Sequence, residues 1–419
     1  MSSVTFRAEI HEQIKQVESA DIIVGIPSFN NARTIAHVVR AVQAGLAKYF
    51  PDHRAVIVNS DGGSSDGTME VVQNSSIGDF AAILLHHRIQ PIAKIAFPYS
   101  GIPGKGSAFR AIFEIAQTLD AKACVVVDSD LRSITPEWIE LLVKPVLDGG
   151  FDYVAPLYHR HKFDGTITNS IVYPLTRALY GKRVRQPIGG DFGFSGKLAR
   201  FYLTRDVWES DVARFGIDIW MTTTAIANGF KVAQSFLGAK IHDAKDPGVD
   251  LSNMLYQVVS ATFDLMENHA EVWKPIRGSE PVTTFGFEYT VGLDHVNVNT
   301  ARMLKLFREG LLNLREIWLD ILGAGDLREV ERLAVLDDSE FRFPIGLWTR
   351  IIYDYAIAFH LGRLPKEHLL KSLVPLYVGK TASFILEVDP MQQDEAEAEI
   401  EKLCMEFESS KDYLLTSWK

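Results

Sequence analysis

The sequence predicts an α/β protein: a mostly parallel sheet with helices on both faces, followed by a mainly helical C-terminal region. Three observations carry this. The first 240 or so residues alternate short apolar runs with segments of helical spacing. Runs such as Ile22–Ile26 and Ala123–Val127 are apolar at every position, as strands buried on both faces are. From about Leu251 the strand signals give way to long amphipathic stretches. The expected division is therefore a first domain over 1–250 and a helical domain over 251–419.

The elements follow in order. Ile22–Ile26 reads as a strand stopped by Pro27. Thr34–Tyr49 reads as a helix, with Ile35, Val38, Val39, Val42 and Leu46 on one face and Thr34 as its cap. Ala55–Val58 is a second strand and Asp66–Val72 opens a second helix. Ala82–Leu85 is expected to be the third strand and Lys105–Leu119 the third helix. The strand at Ala123–Val127 precedes a helix starting at Pro136, whose fixed φ suits a first helical position. Then come a strand over Phe151–Tyr158, a helix over Asn169–Tyr180 and a Gly-rich stretch at Gln186–Asp191. A helix over Ile217–Asn228 is ended by Gly229, and Lys231–Phe236 is a strand. The Glu-rich Gln392–Lys411 region reads as an exposed helix.

The composition bounds the function. A chain of 419 residues, 47% hydrophobic and 23% charged, has the balance of a globular protein with room for two domains. A net charge of −10 and the lack of a basic tract argue against a nucleic-acid partner. Two cysteines, Cys124 and Cys404, suggest neither a disulfide framework nor a zinc site. Cys124 lies within the buried strand and reads as a small core hydrophobe. No signal peptide and no run of about 18 apolar residues is evident, so the expectation is a cytoplasmic protein with no membrane span.

The most informative motif is Asp128-Ser129-Asp130. Carboxylates at the C-terminal end of a buried strand stand where open α/β sheets bind ligands. Held so close they repel, unless a cation or hydrogen-bond donors offset the charge. A divalent metal with oxygen ligands does this. Read alone, the tripeptide is more simply a solvated turn. Asp61-Gly62-Gly63-Ser64-Ser65-Asp66-Gly67-Thr68 follows the second strand, with Asp61 free to accept hydrogen bonds from a base or ribose and Asp66 capping the next helix. Pro103-Gly104-Lys105-Gly106 opens the third helix, where exposed N–H groups, the helix dipole and a lysine make an anion site. It is not a Walker A loop, because Gly106 follows the lysine instead of Ser or Thr. His242 gains meaning because the Asp-x-Asp needs a further ligand, and imidazole suits Mn²⁺. Gly189-Gly190-Asp191 is a backbone site with a carboxylate, and Asp218 opens a helix.

Taken in order, these motifs resemble the GT-A glycosyltransferases, whose fold is Rossmann-like. Within them they are similar to the retaining enzymes mannosylglycerate synthase and glucosyl-3-phosphoglycerate synthase. The resemblance covers about residues 20–260. It implies donor-binding roles for Pro27, Asp61, Gly104, Lys105 and Asp128. It implies that Asp130 and His242 bind a divalent metal, Mg²⁺ or Mn²⁺, together with the donor diphosphate. Gly189, Gly190, Thr166 and Thr168 would bind the acceptor. Asp218 and Asp191 would be the catalytic residues, Asp218 orienting the acceptor hydroxyl. It further implies a nucleotide-sugar donor, GDP-mannose or UDP-glucose, a small anionic acceptor and a homodimer.

This chain departs from the pattern in three places. Asn31 stands where the family has a Glu near the base, and Asp191 replaces a Glu. In Gly165-Thr166-Ile167-Thr168 the family's phosphate-holding Arg is absent, which argues against a phosphorylated acceptor. Arg160, His161, Lys162 and Arg185 are nearby cations. The expected reaction is retaining transfer of a hexose to D-glycerate, giving a mannosylglycerate or glucosylglycerate of the compatible-solute type. Open beside it are the same transfer to 3-phosphoglycerate, a sugar nucleotidyltransferase, and a non-catalytic nucleotide-sugar binder.

Overall fold

The computed structural model describes residues 8–75, 92–99, 103–241, 251–289, 292, 296 and 298–418. In chain order the first elements are α1 (Ala8–Val17), β1 (Ile22–Ser28), α2 (Ile35–Tyr49), β2 (Ala55–Asp61), α3 (Thr68–Asn74), β3 (Ala93–Pro98), α4 (Lys105–Thr118), β4 (Ala123–Val126), α5 (Pro136–Leu147) and β5 (Tyr153–His159). There follow α6 (Tyr173–Tyr180), β6 (Lys182–Arg183), β7 (Phe192–Ser195), α7 (Gly196–Leu203), α8 (Ile217–Ala227), β8 (Val232–Ala239), α9 (Leu251–Asn268), α10 (Ala270–Trp273), β9 (Glu280–Pro281) and β10 (Thr283–Phe285). The rest is helical: α11 (Thr300–Ile321), α12 (Ala324–Ala334), α13 (Ile345–His360), α14 (Lys366–Val388), α15 (Gln393–Ser409) and α16 (Lys411–Ser417).

The chain forms two compact units. One comprises Met1–His159, Ile188–Asp243 and Val282–Gly292; the other Arg160–Pro187, Ala244–Pro281 and Leu293–Lys419. They interleave in sequence, whereas the expected division was a single cut at residue 250. Segment 160–187 sits in the helical unit because α6 packs on α15 there. Residues 282–292 sit in the sheet unit because β10 pairs in parallel with β8.

The first unit holds an eight-stranded sheet in the order β10-β8-β5-β7-β4-β1-β2-β3. Only β7 runs antiparallel, against β4 and β5, so the expected mostly parallel sheet is present. The apolar runs of β1 and β4 are buried on both faces, and α2 and α5 lay Val38, Val42, Trp138, Ile139 and Leu142 against them. Cys124 is fully buried, and burial pushes its thiol up to about 12, as an inert core residue.

Several expectations are corrected here. Pro27 does not stop β1, which pairs with β2 as far as Ser28↔Asp61. The β4 register ends at Gly25, whose carbonyl accepts from Val127 N–H. Pro27 lies two residues on, so its missing N–H faces a side β4 has already left. Thr34 makes no side-chain cap; its hydroxyl donates to the Ser129 carbonyl at 2.9 Å. The third strand of the described sheet is Ala93–Pro98, while the expected strand at 82–85 lies outside the described residues. The segment expected as one helix over 169–180 begins with a π-helical turn, Thr168–Val172, before α6. The helix expected at 392–411 is α15; far from being wholly exposed, it buries Ala396, Ile400, Leu403, Cys404 and Phe407 and starts with a Gln392–Glu395 capping box.

In the second unit, α11 and α14 pack along each other and Trp318 Nε1 donates to the Ser372 carbonyl at 3.0 Å. Lys411 is 3% exposed and donates to the carbonyls of Ala178, Trp273 and Ile276, which close the ends of α6 and α10. α14 is long and apolar enough to cross a membrane by length and composition, although no such run was expected; 72% of that window is buried in the unit.

Candidate active site

The site lies in the first unit, at the C-terminal edge of the parallel strands, where such sheets bind ligands. Asp128 follows β4, Asp191 precedes β7, Lys240 follows β8, Lys105 opens α4 and Asp218 lies in the first turn of α8. The five side chains form one network. Lys105 Nζ lies 2.8 Å from Asp128 Oδ1 and 3.1 Å from Asp218 Oδ2. Lys240 Nζ lies 2.7 Å from Asp128 Oδ2, 2.7 Å from Asp191 Oδ2 and 2.8 Å from the Gly189 carbonyl. Asp128 N–H donates to Asp191 Oδ1 at 2.8 Å, and Tyr158 Oη donates to Asp191 Oδ2. Gly190 is held at φ +89°, and a Cβ there would come within 2.3 Å of Asp128 Oδ2, so only glycine fits.

The electrostatics follow from this geometry. Burial opposes the charge on Lys105, but attraction to Asp128 and then Asp218 outweighs it and moves its pKa up. Burial likewise opposes the Asp128 carboxylate, and Lys105 and Lys240 outweigh it, holding Asp128 well below the usual range. Asp218 goes the other way. Burial raises it, Lys105 opposes the rise, and repulsion from Asp128 adds to it. Asp218 Oδ1 is buried and has no hydrogen-bond partner among the described residues. An unsatisfied buried carboxylate oxygen costs energy, and in an active site it is the natural seat for a donor such as a hydroxyl.

The structure gives several predicted residues other tasks. Asp61 is not free for a ligand. It is fully buried, and its oxygens accept from Ser28 Oγ, Ser64 Oγ and the N–H groups of Gly63 and Ser64, at 2.7–2.9 Å. It shapes the loop after β2. Asp191, expected to be catalytic, is likewise fully buried with both oxygens bonded, and it positions Asp128 and Lys240. Asp66 accepts from Thr68 N–H at 3.1 Å and from Ala32 N–H at 3.0 Å, tying two loops together as well as starting α3. Asn31 Oδ1 accepts from Ser129 Oγ at 2.8 Å and so supports the Asp-Ser-Asp turn.

The Pro103–Gly106 loop does not present its amides freely. Gly104 N–H donates to Tyr99 Oη at 2.6 Å and Gly106 N–H to the Arg214 carbonyl at 3.3 Å. A Cβ at Gly106 would lie 1.9 Å from the Val212 carbonyl, so the glycine permits close packing. What the loop delivers to the site is the Lys105 ammonium.

Asp130 is half-buried at the end of the same turn, and His242 lies outside the described residues. Among the described residues, no three His, Cys, Asp or Glu side chains cluster as a metal site. Thr166 and Thr168 belong to the second unit, where both are buried and the Thr166 and Tyr377 hydroxyls are 2.5 Å apart. The cations noted near them are engaged: Lys162 with the carbonyls of Val388, Asp389 and Met391, Arg185 with Glu397, and Arg160 with Asp164.

Lys240 and Tyr158 were missed as site residues. Lys240 ends a strand of eight residues, longer than the run that was read, and the signal was available: a lysine directly after a buried strand needs carboxylates. Tyr158 carried no such signal, because alternation within a strand does not show which hydroxyl meets a carboxylate.

Comparison with known proteins completes the description. The profile of the family described as mannosylglycerate synthase, GT domain, matches residues 33–264, more than half of the chain. No curated protein matches the chain. Among solved structures, the chain is similar to glucosyl-3-phosphoglycerate synthase from Mycobacterium tuberculosis in complex with Mg²⁺ and UDP, at 19% identity over 64% of this chain and 86% of that one, TM-score 0.43. The same enzyme with Mn²⁺, UDP-glucose and phosphoglyceric acid matches at 19% identity over 64% and 88%, TM-score 0.43. A further mycobacterial protein matches at 22% identity over 62% and 78%, TM-score 0.42.

Proposed function

Because the chain belongs to the mannosylglycerate synthase GT-domain family, and so is a glycosyltransferase, we propose that it moves mannose or glucose from a nucleotide diphosphate sugar to D-glycerate, with retention at the anomeric carbon. The observation that carries this reading is the network of Asp128, Asp191, Asp218, Lys105 and Lys240 with one buried oxygen of Asp218 unpartnered. It supplies one cation, Lys105, for a diphosphate and one oriented acceptor for a hydroxyl proton, with Lys240 holding Asp128 and Asp191 in place.

Each residue then has a task. Lys105 exchanges part of its bonding to Asp128 and Asp218 for the donor diphosphate, as a cation facing a charge that grows in the transition state. Asp128 contacts the donor ribose, with Lys240 and Asp191 fixing its direction. Asp218 accepts the hydrogen bond of the attacking hydroxyl through Oδ1, on the face from which the diphosphate leaves. Burial raises its pKa above the usual carboxylate value, the direction that suits a proton acceptor. The Asp130 carboxylate is a hard oxygen donor and the His242 imidazole a borderline one, a pair that suits Mg²⁺ or Mn²⁺. When bound, the ion acts as a Lewis acid on the diphosphate. Pro27, Gly104 and the loop shaped by Asp61 border the donor; Gly189 and Gly190 serve the acceptor. The missing phosphate-holding Arg and the engaged Lys162, Arg160 and Arg185 support an unphosphorylated acceptor over 3-phosphoglycerate.

Calorimetry with UDP-glucose and GDP-mannose, in Mn²⁺ or Mg²⁺ and again in EDTA, tests the reading. One donor should bind with metal and lose affinity in EDTA, and D-glycerate should then release free nucleoside diphosphate. Pyrophosphate release would assign the chain to nucleotidyl transfer; no binding of any sugar nucleotide would make it a non-catalytic scaffold.

A further inference from the structure

The loops after β1 and β2 and the turn after β4 meet at one point of the first unit. In the sheet, β4 and β2 flank β1, so the strand order reverses there. The crevice beyond such a reversal is where open α/β sheets bind ligands. Asn31 bridges it. Its Oδ1 accepts from Ser129 Oγ, next to Asp128, at 2.8 Å and from Phe29 N–H at 3.0 Å. Both lone pairs of that oxygen are taken, which leaves the amide N–H groups to bond a ligand. Asn30 likewise turns its Oδ1 to Ser65 N–H, at 3.0 Å. Among the described residues neither amide nitrogen has a partner. Asp61 and Asp66 are closed as well, each of their oxygens accepting from the loops themselves. Arg33, exposed two residues on, adds N–H groups and no acceptor. The rim thus offers amide N–H groups and no open carboxylate or carboxamide oxygen. Beside it Phe29 is 61% exposed, although its ring lies against Gly62, where a Cβ would come within 3.1 Å of Phe29 Cδ2. An aromatic ring seated on backbone and open to solvent is a platform on which a base stacks.

Resting on the transfer reading, which sets the ribose of the sugar nucleotide against Asp128, we infer that this rim selects the base: a 2,4-dioxopyrimidine, uracil or thymine, stacked on Phe29 and held through its carbonyl oxygens by the amides of Asn31 and Asn30. Guanine fits worse. Beside its single carbonyl, its pairing edge carries N1–H and a 2-amino group, and the rim has no open side-chain amide or carboxylate oxygen to accept from them. Cytosine has the size of uracil but replaces one carbonyl by an amino group, so it meets the Asn31 amide N–H to N–H. The choice of nucleotide therefore follows from which oxygens the loops have already used. Asn31→Asp keeps the bonds to Ser129 and Phe29 and turns the free amide into an acceptor, which reverses the preference.

The test is calorimetry of the full chain in Mn²⁺ with UDP, dTDP, CDP and GDP. UDP or dTDP should bind about tenfold tighter than both CDP and GDP, the scale of one unpaired polar group. The order of UDP and dTDP then tells a uridine from a thymidine nucleotide. Asn31→Asp should cut the UDP-to-CDP preference about tenfold. Taking the ratio removes the effect of the added charge on the diphosphate, which all four ligands share. Phe29→Ala should weaken UDP at least about fivefold, the low end of base stacking. If Asn31→Asp does not fold, the ranking of the four nucleotides on the wild type decides alone. CDP or GDP binding as tightly as UDP, a preference untouched by Asn31→Asp, or UDP affinity unchanged in Phe29→Ala would overturn the base assignment and leave the transfer reading standing. Binding of none of the four would overturn both.

Discussion

Lys105 in the first unit lies 2.8 Å from one carboxylate and 3.1 Å from another, whereas among the described residues Lys380 in the second donates to one carbonyl, at 3.2 Å. Both lie in helices, Lys105 half-buried and Lys380 buried, and burial alone disfavours both charges. The carboxylates around Lys105 reverse that penalty, and its pKa rises; around Lys380 the penalty prevails, and its pKa falls to about 8. Burial therefore says little about a lysine until its partners are counted. A buried lysine can be satisfied by carboxylates, as Lys105 is, or by three carbonyls, as Lys411 is; among the described residues Lys380 has neither set.

The comparison breaks most readily at Lys240, the second cation of the finished network. Lys240→Met leaves Asp191 without its cation and Asp128 with Lys105 alone, and removing one partner of a buried pair costs about 3–5 kcal/mol. Denaturant unfolding should show that loss together with abolished transfer; near-wild-type stability would mean that water replaces the ammonium. Asp218→Asn sharpens the same point without disturbing the fold. The melting temperature should hold while turnover falls about 10²–10⁴-fold, the scale of a positioned proton acceptor. A variant as active as the wild type would remove Asp218 from the chemistry.

The smaller effect is at Lys380, and its sign is set by linkage. Because the folded pKa lies below the unfolded 10.5, the contribution to stability is fully present above 10.5 and lost as pH falls through about 8. The fully protonated amine then costs about 3 kcal/mol. Lys380→Met should thus gain on the wild type between pH 10 and pH 7, read as a change in unfolding free energy across that range. Parallel pH curves for the two proteins would show that the amine is satisfied in the free protein.

How much of this the sequence displays depends on the residue. β1 and β4 were legible because they are apolar at every position and central in the sheet. β3 was not: it is the terminal strand in the sheet order, its burial alternates, and Lys94 and Pro98 interrupt its apolar character. Asp128 was legible as a strand-end carboxylate, and Lys105 as a loop lysine. Asp61 was read as available because a carboxylate in a Gly-Ser turn looks the same whether it meets ligand or backbone. Of its four donors only Ser28 comes from the neighbouring strand; Gly63 N–H, Ser64 N–H and Ser64 Oγ lie two and three residues on, so the turn itself occupies the carboxylate. The lysine at 240 and the tyrosine at 158 come from distant stretches of chain, and pattern within one segment cannot pair them.

The closing residue of the Gly189-Gly190-Asp191 motif sets a rule for engineering. That residue is Asp191, one methylene shorter than a glutamate. That methylene is not a local choice, since the shorter carboxylate reaches Asp128 N–H, Tyr158 and Lys240 together. Grafting the longer motif into this scaffold, or this motif into a longer-armed relative, means exchanging positions 158, 191 and 240 as one unit. A chimera that swaps only the contiguous tripeptide should recover its activity when the other two positions follow.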